Sequence, residues 1–115
     1  MILDPINTAF MQGGVSIVAS SRDSNNTPSM ARCLGCRVST DRKLVTLLVP
    51  KSQSRELLEA LTLTHQIAVV FSEPSTHRTI QLKGTDAVAA QVQKKDASLS
   101  KRYAVEGRDF PAQPS

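Results

Sequence analysis

Hydrophobic and polar positions change period several times along the chain, and the changes mark its elements. "DPINTAFMQGG" predicts a short helix, with Asp4 as N-cap, Pro5 at the first helical position and Gly13 or Gly14 as terminator. "VSIVASS" follows as a β-branched strand, and "RDSNNTP" as a polar turn. "SMARCLGCRVS" predicts a second strand, "TDRK" a tight turn, and "LVTLLVP" a third strand closed by Pro50. "SQSRELLEALTLT" shifts to helical spacing, with Leu57, Leu58 and Leu61 on one face, Ser54 as N-cap and Glu56 in the first turn. "QIAVVF" is a continuous apolar run, expected to be buried on both faces. "HRTIQLKG" alternates, with Ile80 and Leu82 on one side and Thr79, Gln81 and Lys83 on the other. It is expected to break at Gly84 before "TDAVAAQV".

Hairpin-length turns link most of these segments. The expected fold class is therefore mainly β, a small barrel with flanking helices. Residues 1–95 form the single domain in this reading. Residues 96–115 supply a short helix over "KKDASLSKRYA", which begins just before them, and a frayed tail over "VEGRDFPAQPS". A barrel usually needs a sixth strand to close, and the pattern marks none, so either the chain is cut short or a second copy is expected to cover the open edge.

Composition narrows the function. The 115 residues suit one modest core. Tryptophan is absent, with one tyrosine and three phenylalanines, which leaves little for stacking single-stranded bases. The net charge of +4 suits an anionic ligand and is also ordinary for solubility. A nucleic-acid-binding barrel would rest on that charge alone. The N-terminal stretch carries an acid and a proline where a leader peptide would be basic, and no apolar run reaches the roughly 18 residues of a membrane helix. Two cysteines are too few for a disulfide framework, so a cytoplasmic location is expected.

"ARCLGCRVS" holds both cysteines, Cys33 and Cys36, between Arg32 and Arg37. A redox C-x-x-C normally opens a helix, and a zinc site needs four ligands. Here the pair falls in a strand with no partners at finger spacing, so buried strand residues are the plainer reading and no metal is expected. In regular β geometry, residues three or five apart point to opposite faces. A bulge at Gly35 would realign the cysteines and bring both arginines to one ligand. "VPKSQSRELL" adds a hydroxyl-rich loop leading into a helix N-terminus, a setting that favours phosphate, with Lys51 and Arg55 beside it. His65 and His77 sit at junctions, with no serine–histidine–acid pattern around them, and no catalytic residue is assigned.

From about Val15 to Ala90, the order of "PSMARCLGCRVSTDRKLVTLLVPKSQS", "IAVVF" and "HRTIQLKG" resembles the pyridoxamine 5′-phosphate oxidase-like FMN-binding split barrels. The resemblance implies a six-stranded split barrel, a homodimer, and FMN at the dimer interface. In the oxidases the second strand reads R-x-V-L-L-K. Arg32 matches its first residue, which contacts the FMN phosphate, and Arg37 its last, which lies near the flavin ring. The phosphate-gripping S-R-K corresponds to Ser52, Gln53 and Ser54, so both basic residues of that motif are replaced. R-Q-V-x-x-x-G appears as Arg78, Thr79, Ile80 and Gly84, with Thr79 in place of a flavin-contacting glutamine. Gln81, on the same strand face as Thr79, joins the candidate FMN-binding set. The oxidases' C-terminal pyridoxal-phosphate segment is missing, so vitamin B6 synthesis is not implied. An FMN-dependent oxidoreductase of unknown substrate is the expectation. Its alternatives are a non-catalytic flavin- or haem-binding module and a deazaflavin-dependent reductase.

Overall fold

Alternating burial builds the frame. In the computed structural model, which describes residues 3, 5–50, 52, 54–91 and 102–108, each main strand buries every second side chain. The elements are α1 (Pro5–Met11), β1 (Ser16–Arg22), β2 (Pro28–Arg32), β3 (Gly35–Val38), β4 (Val45–Pro50), α2 (Arg55–Thr64), β5 (Ile67–Glu73), β6 (Arg78–Gly84), β7 (Val88–Gln91) and β8 (Arg102–Gly107). They form two antiparallel four-stranded sheets, ordered β2-β1-β5-β6 and β3-β4-β8-β7. The fold is mainly β with two helices, as expected. The inner faces meet in one core, in which Ile17, Ala19, Val69, Phe71 and Leu82 of the first sheet face Val45, Leu47, Val49 and Val105 of the second. Leu57 and Leu61 of α2 enter the same core.

The single strand expected over residues 29–39 is in fact two, one in each sheet. The hydrogen bonding changes partner within two residues: Cys33 N–H donates to Ile17 in β1 (2.9 Å), and Leu34 N–H donates to Leu48 in β4 (2.7 Å). This corner joins one edge of the first sheet to one edge of the second. The other edges are joined between β6 and β7. There His65, in the left-handed conformation (φ 58°), closes α2 by donating its N–H to Leu61 and accepts the Ala87 N–H (3.0 Å). The His65 Nδ1 also meets the Ala87 carbonyl at 3.0 Å. A carbonyl only accepts, so Nδ1 carries the proton in that bond. His65 is thus a clasp between helix and corner.

The helix and tail expected after residue 95 are corrected at residues 102–107, which form β8; the remainder of that stretch lies outside the described residues. β8 pairs with β4 on one side and β7 on the other, so it is central to its sheet. It supplies the strand that the hydrophobic pattern did not mark. Pro5 opens α1 as expected, and Gly14 takes φ +79° just beyond it, while Asp4 lies outside the described residues. Past the end of α1, Gln12 Oε1 accepts the Val38 N–H (2.9 Å), which satisfies a donor on the edge strand β3.

Candidate functional site

The corner decides where the candidate side chains point. Cys33 is buried, Leu34 is exposed, Gly35 and Cys36 are half-buried, Arg37 is exposed and Val38 is buried. Strict alternation slips by one residue at Leu34–Gly35. The slip turns both cysteines towards the core cluster and leaves both arginines on the outer surface. The irregularity is a change of sheet, not a bulge at Gly35 within one strand. Arg32 ends β2 in the first sheet, and Arg37 sits in β3 of the second. Neither makes an ion pair among the described residues.

Burial pushes the Cys33 thiol up to about 11, partly offset by a backbone hydrogen bond with Ala19. Cys36 is pushed up to about 12, by burial first and then by the neighbouring Cys33 charge. Both thiols are protonated at neutral pH and unsuited to nucleophilic or metal-binding roles. Among the described residues, no group of three histidine, cysteine or acidic side chains is placed to hold a metal ion.

A thiol ionises near 9 when unfolded, so between pH 9 and 11 the unfolded chain loses protons that the folded chain keeps. Stability must then fall as pH rises through that window, by about 2 kcal/mol for Cys33. Cys33→Ser/Cys36→Ser is expected to flatten this alkaline decline in thermal unfolding. Stoichiometric zinc in the wild type, lost in the double variant, would contradict this reading.

β4 ends at Pro50 beside the β2 terminus, and α2 is anchored on β2 by Ser29 Oγ donating to the Glu56 carbonyl (3.3 Å). Ser52 is exposed; Lys51 and Gln53 lie outside the described residues. Ser54 occupies the N-cap position, and its carbonyl accepts the Leu58 N–H (2.9 Å). Its side chain caps nothing. The residue is 0% exposed, and among the described residues Oγ has no hydrogen-bond partner. A buried hydroxyl in this state is costly unless a ligand satisfies it.

Thr79 and Gln81 are exposed on β6. Strand register puts them on the same outer face as Arg32: Arg32 pairs with Val18, Val18 with Val70, and Val70 with Gln81, one row across four strands. Thr79 lies in the next row, beside Ser72 and Ser16. Gln81 is three strand spacings from Arg32, roughly 14 Å. Val18, Ala68 and Val70 at the middle of this face are only half-buried. The apolar run in β5 predicted burial on both sides, and the single chain buries one. Arg78 turns away from the face, stacking its guanidinium over Phe10 (4.4 Å to the ring centre) and donating to Asn7 Oδ1 (3.1 Å), so it ties β6 to α1. His77 is exposed in a turn at φ 57°.

No protein-family model matches the chain, and no curated protein matches it. Solved structures do. A candidate pyridoxamine 5′-phosphate oxidase of Lactobacillus delbrueckii superposes with a TM-score of 0.69 at 14% identity, over 95% of this chain and 90% of its own. An F420 reductase gives 0.62 at 8% identity, over 88% and 90%. HutZ, the haem storage protein of Vibrio cholerae, gives 0.55 at 17% identity, over 99% and 93%. The chain has the split-barrel fold of the pyridoxamine 5′-phosphate oxidase-like proteins. Its structural neighbours differ in the ligand their names record.

Proposed function

We propose that the chain is an FMN-binding split-barrel protein that acts as a homodimer, with the flavin on the outer barrel surface between two copies. The observation that carries this reading is the corner itself. Arg32 and Arg37 point outward without ion-pair partners among the described residues; Arg32 ends β2, the strand on which Ser29 anchors the start of α2, and the N-cap hydroxyl of that helix is buried without a hydrogen-bond partner among the described residues. That donor set matches a phosphate dianion: the arginine fork gives two charge-assisted hydrogen bonds, and the first-turn N–H groups add to them. Arg32 would hold the phosphate beside the start of α2, which Ser54 begins, and Arg37 would stand near the ring. Thr79 and Gln81, across the sheet, would meet the flavin held against a second copy. The half-buried Val18–Val70 centre and the exposed Met30 and Leu34 give that copy an apolar surface to cover.

FMN, when bound, supplies electron or hydride transfer, and the reading is of an oxidoreductase on that basis. The chain's own residues bind and orient it, and the arginines bias the site towards anions.

Titrating flavin-free protein with FMN, while following mass by light scattering at micromolar concentration, tests the reading. The expected outcome is a dimer whose FMN content and dimer fraction fall together on dilution. A monomer that holds FMN one to one would remove the interface from the account.

A further inference from the structure

The outer face of the first sheet has a second basic feature, at the end away from Arg32. Arg22 pairs with Pro28 at one end of β2, while Arg32 stands at the other end, four residues along, roughly 13 Å away. Between Arg22 and the ends of β5 and β6 lies a cleft of about 390 Å³, within the size range of small-ligand sites. Arg22 and Lys83 bound it. Lys83 is aligned with Ser20 through Ala68, and Arg22 lies two residues beyond Ser20, so the two Cα atoms are roughly 12 Å apart. Side chains of that length can close on one ligand from either side.

Asp23, next to Arg22, is engaged by its own turn, where Oδ1 accepts the Asn25 and Thr27 N–H groups (2.8 and 3.0 Å). Asp86, three residues from Lys83, accepts the Arg108 N–H on both oxygens (2.9 and 3.2 Å). Among the described residues, no carboxylate lines the cleft. Ser20 and Ser21 donate their hydroxyl protons to the carbonyls of Ala68 and Gln66, so the charged donors facing the cleft are Arg22 and Lys83, with the Asn26 and Gln66 amides and Thr85 as further polar lining. Pro28, Ile67 and Ala68 supply apolar wall.

We propose that this cleft binds a phosphomonoester whose body is flat or apolar: Arg22 and Lys83 take the phosphate, and the wall takes the body. A dianion with three free oxygens uses a fork and a point charge from opposite sides better than a carboxylate does. The proposal stands on the cleft alone and does not require that the chain hold FMN.

The test is nuclear magnetic resonance titration of the flavin-free, full-length chain with AMP, inorganic phosphate and adenosine. AMP and phosphate are expected to move the amide signals of Arg22, Ala68, Lys83 and Gly84. Arg22→Ala/Lys83→Ala should weaken AMP, read from these signals, by about tenfold or more. Adenosine should bind far more weakly than AMP. Any of three results overturns the proposal: no saturable binding of AMP or phosphate up to about 10 mM, shifts confined to the Arg32–Ser54 corner, or equal AMP affinity in the double variant. FMN and riboflavin titrations of the double variant then identify the source of the phosphate. Unchanged FMN affinity assigns the cleft to a second, phosphorylated ligand, and a loss for FMN alone assigns it to the phosphate of the flavin.

Discussion

Arg32→Ala is expected to lower FMN affinity by roughly 10- to 150-fold while changing riboflavin affinity little. The flavin phosphate carries close to two negative charges near neutral pH, and a guanidinium fork binds it through two charge-assisted hydrogen bonds. Losing one such contact costs about 1.5–3 kcal/mol, which sets the range. The exposure of Arg32 at the end of β2 makes the substitution a clean one, since no core contact or ion pair among the described residues is lost with it. Arg37→Ala, one sheet away and nearer the ring in this account, should weaken both flavins alike. Fluorescence quenching of each variant with both flavins gives four ratios to compare. An Arg32→Ala protein that binds FMN as tightly as the wild type would detach β2 from the phosphate and take the assigned corner with it.

Val105→Asp is expected to abolish cooperative unfolding. Val105 is 2% exposed in β8, bonded between β4 and β7 and packed into the shared core. A carboxylate there has no partner, and burying an unpaired charge costs several kcal/mol, a large part of the 5–15 kcal/mol that holds a typical domain together. Val105→Ala removes only methyl groups and should keep a cooperative transition at a lower midpoint. Thermal melts followed by circular dichroism separate the two. A Val105→Asp variant that melts like the wild type would mean that residues 102–107 are the loose tail that the sequence pattern suggests.

That contrast shows what the sequence made legible. β1, β4, β5, β6 and α2 follow from local pattern, because each carries enough apolar residues at one period to declare its own state. β8 does not: "RYAVEG" is short, and its strand state comes from pairing on both sides by segments far away in sequence. The cut between β2 and β3 was hidden for a related reason. Local composition does not say which neighbour a strand bonds to, and the change from Ile17 to Leu48 as acceptor is a long-range event.

Of the proposed site, the arginines became candidates through their motif, and the slip at Leu34–Gly35 explains how both come to face outward. The row from Arg32 to Gln81 required the register of four strands. The Arg22–Lys83 cleft carries no local signal, since it is assembled from the ends of β1, β5 and β6.

The most direct test of the central claim is the identity of the bound small molecule. Purified protein is denatured, and the released ligand is analysed by mass spectrometry beside the absorption spectrum of the intact protein. The account predicts FMN at close to one per chain, with flavin absorption near ~450 nm that bleaches on reduction. Haem with its intense Soret band, a deazaflavin, or a protein that neither carries nor takes up FMN would contradict it.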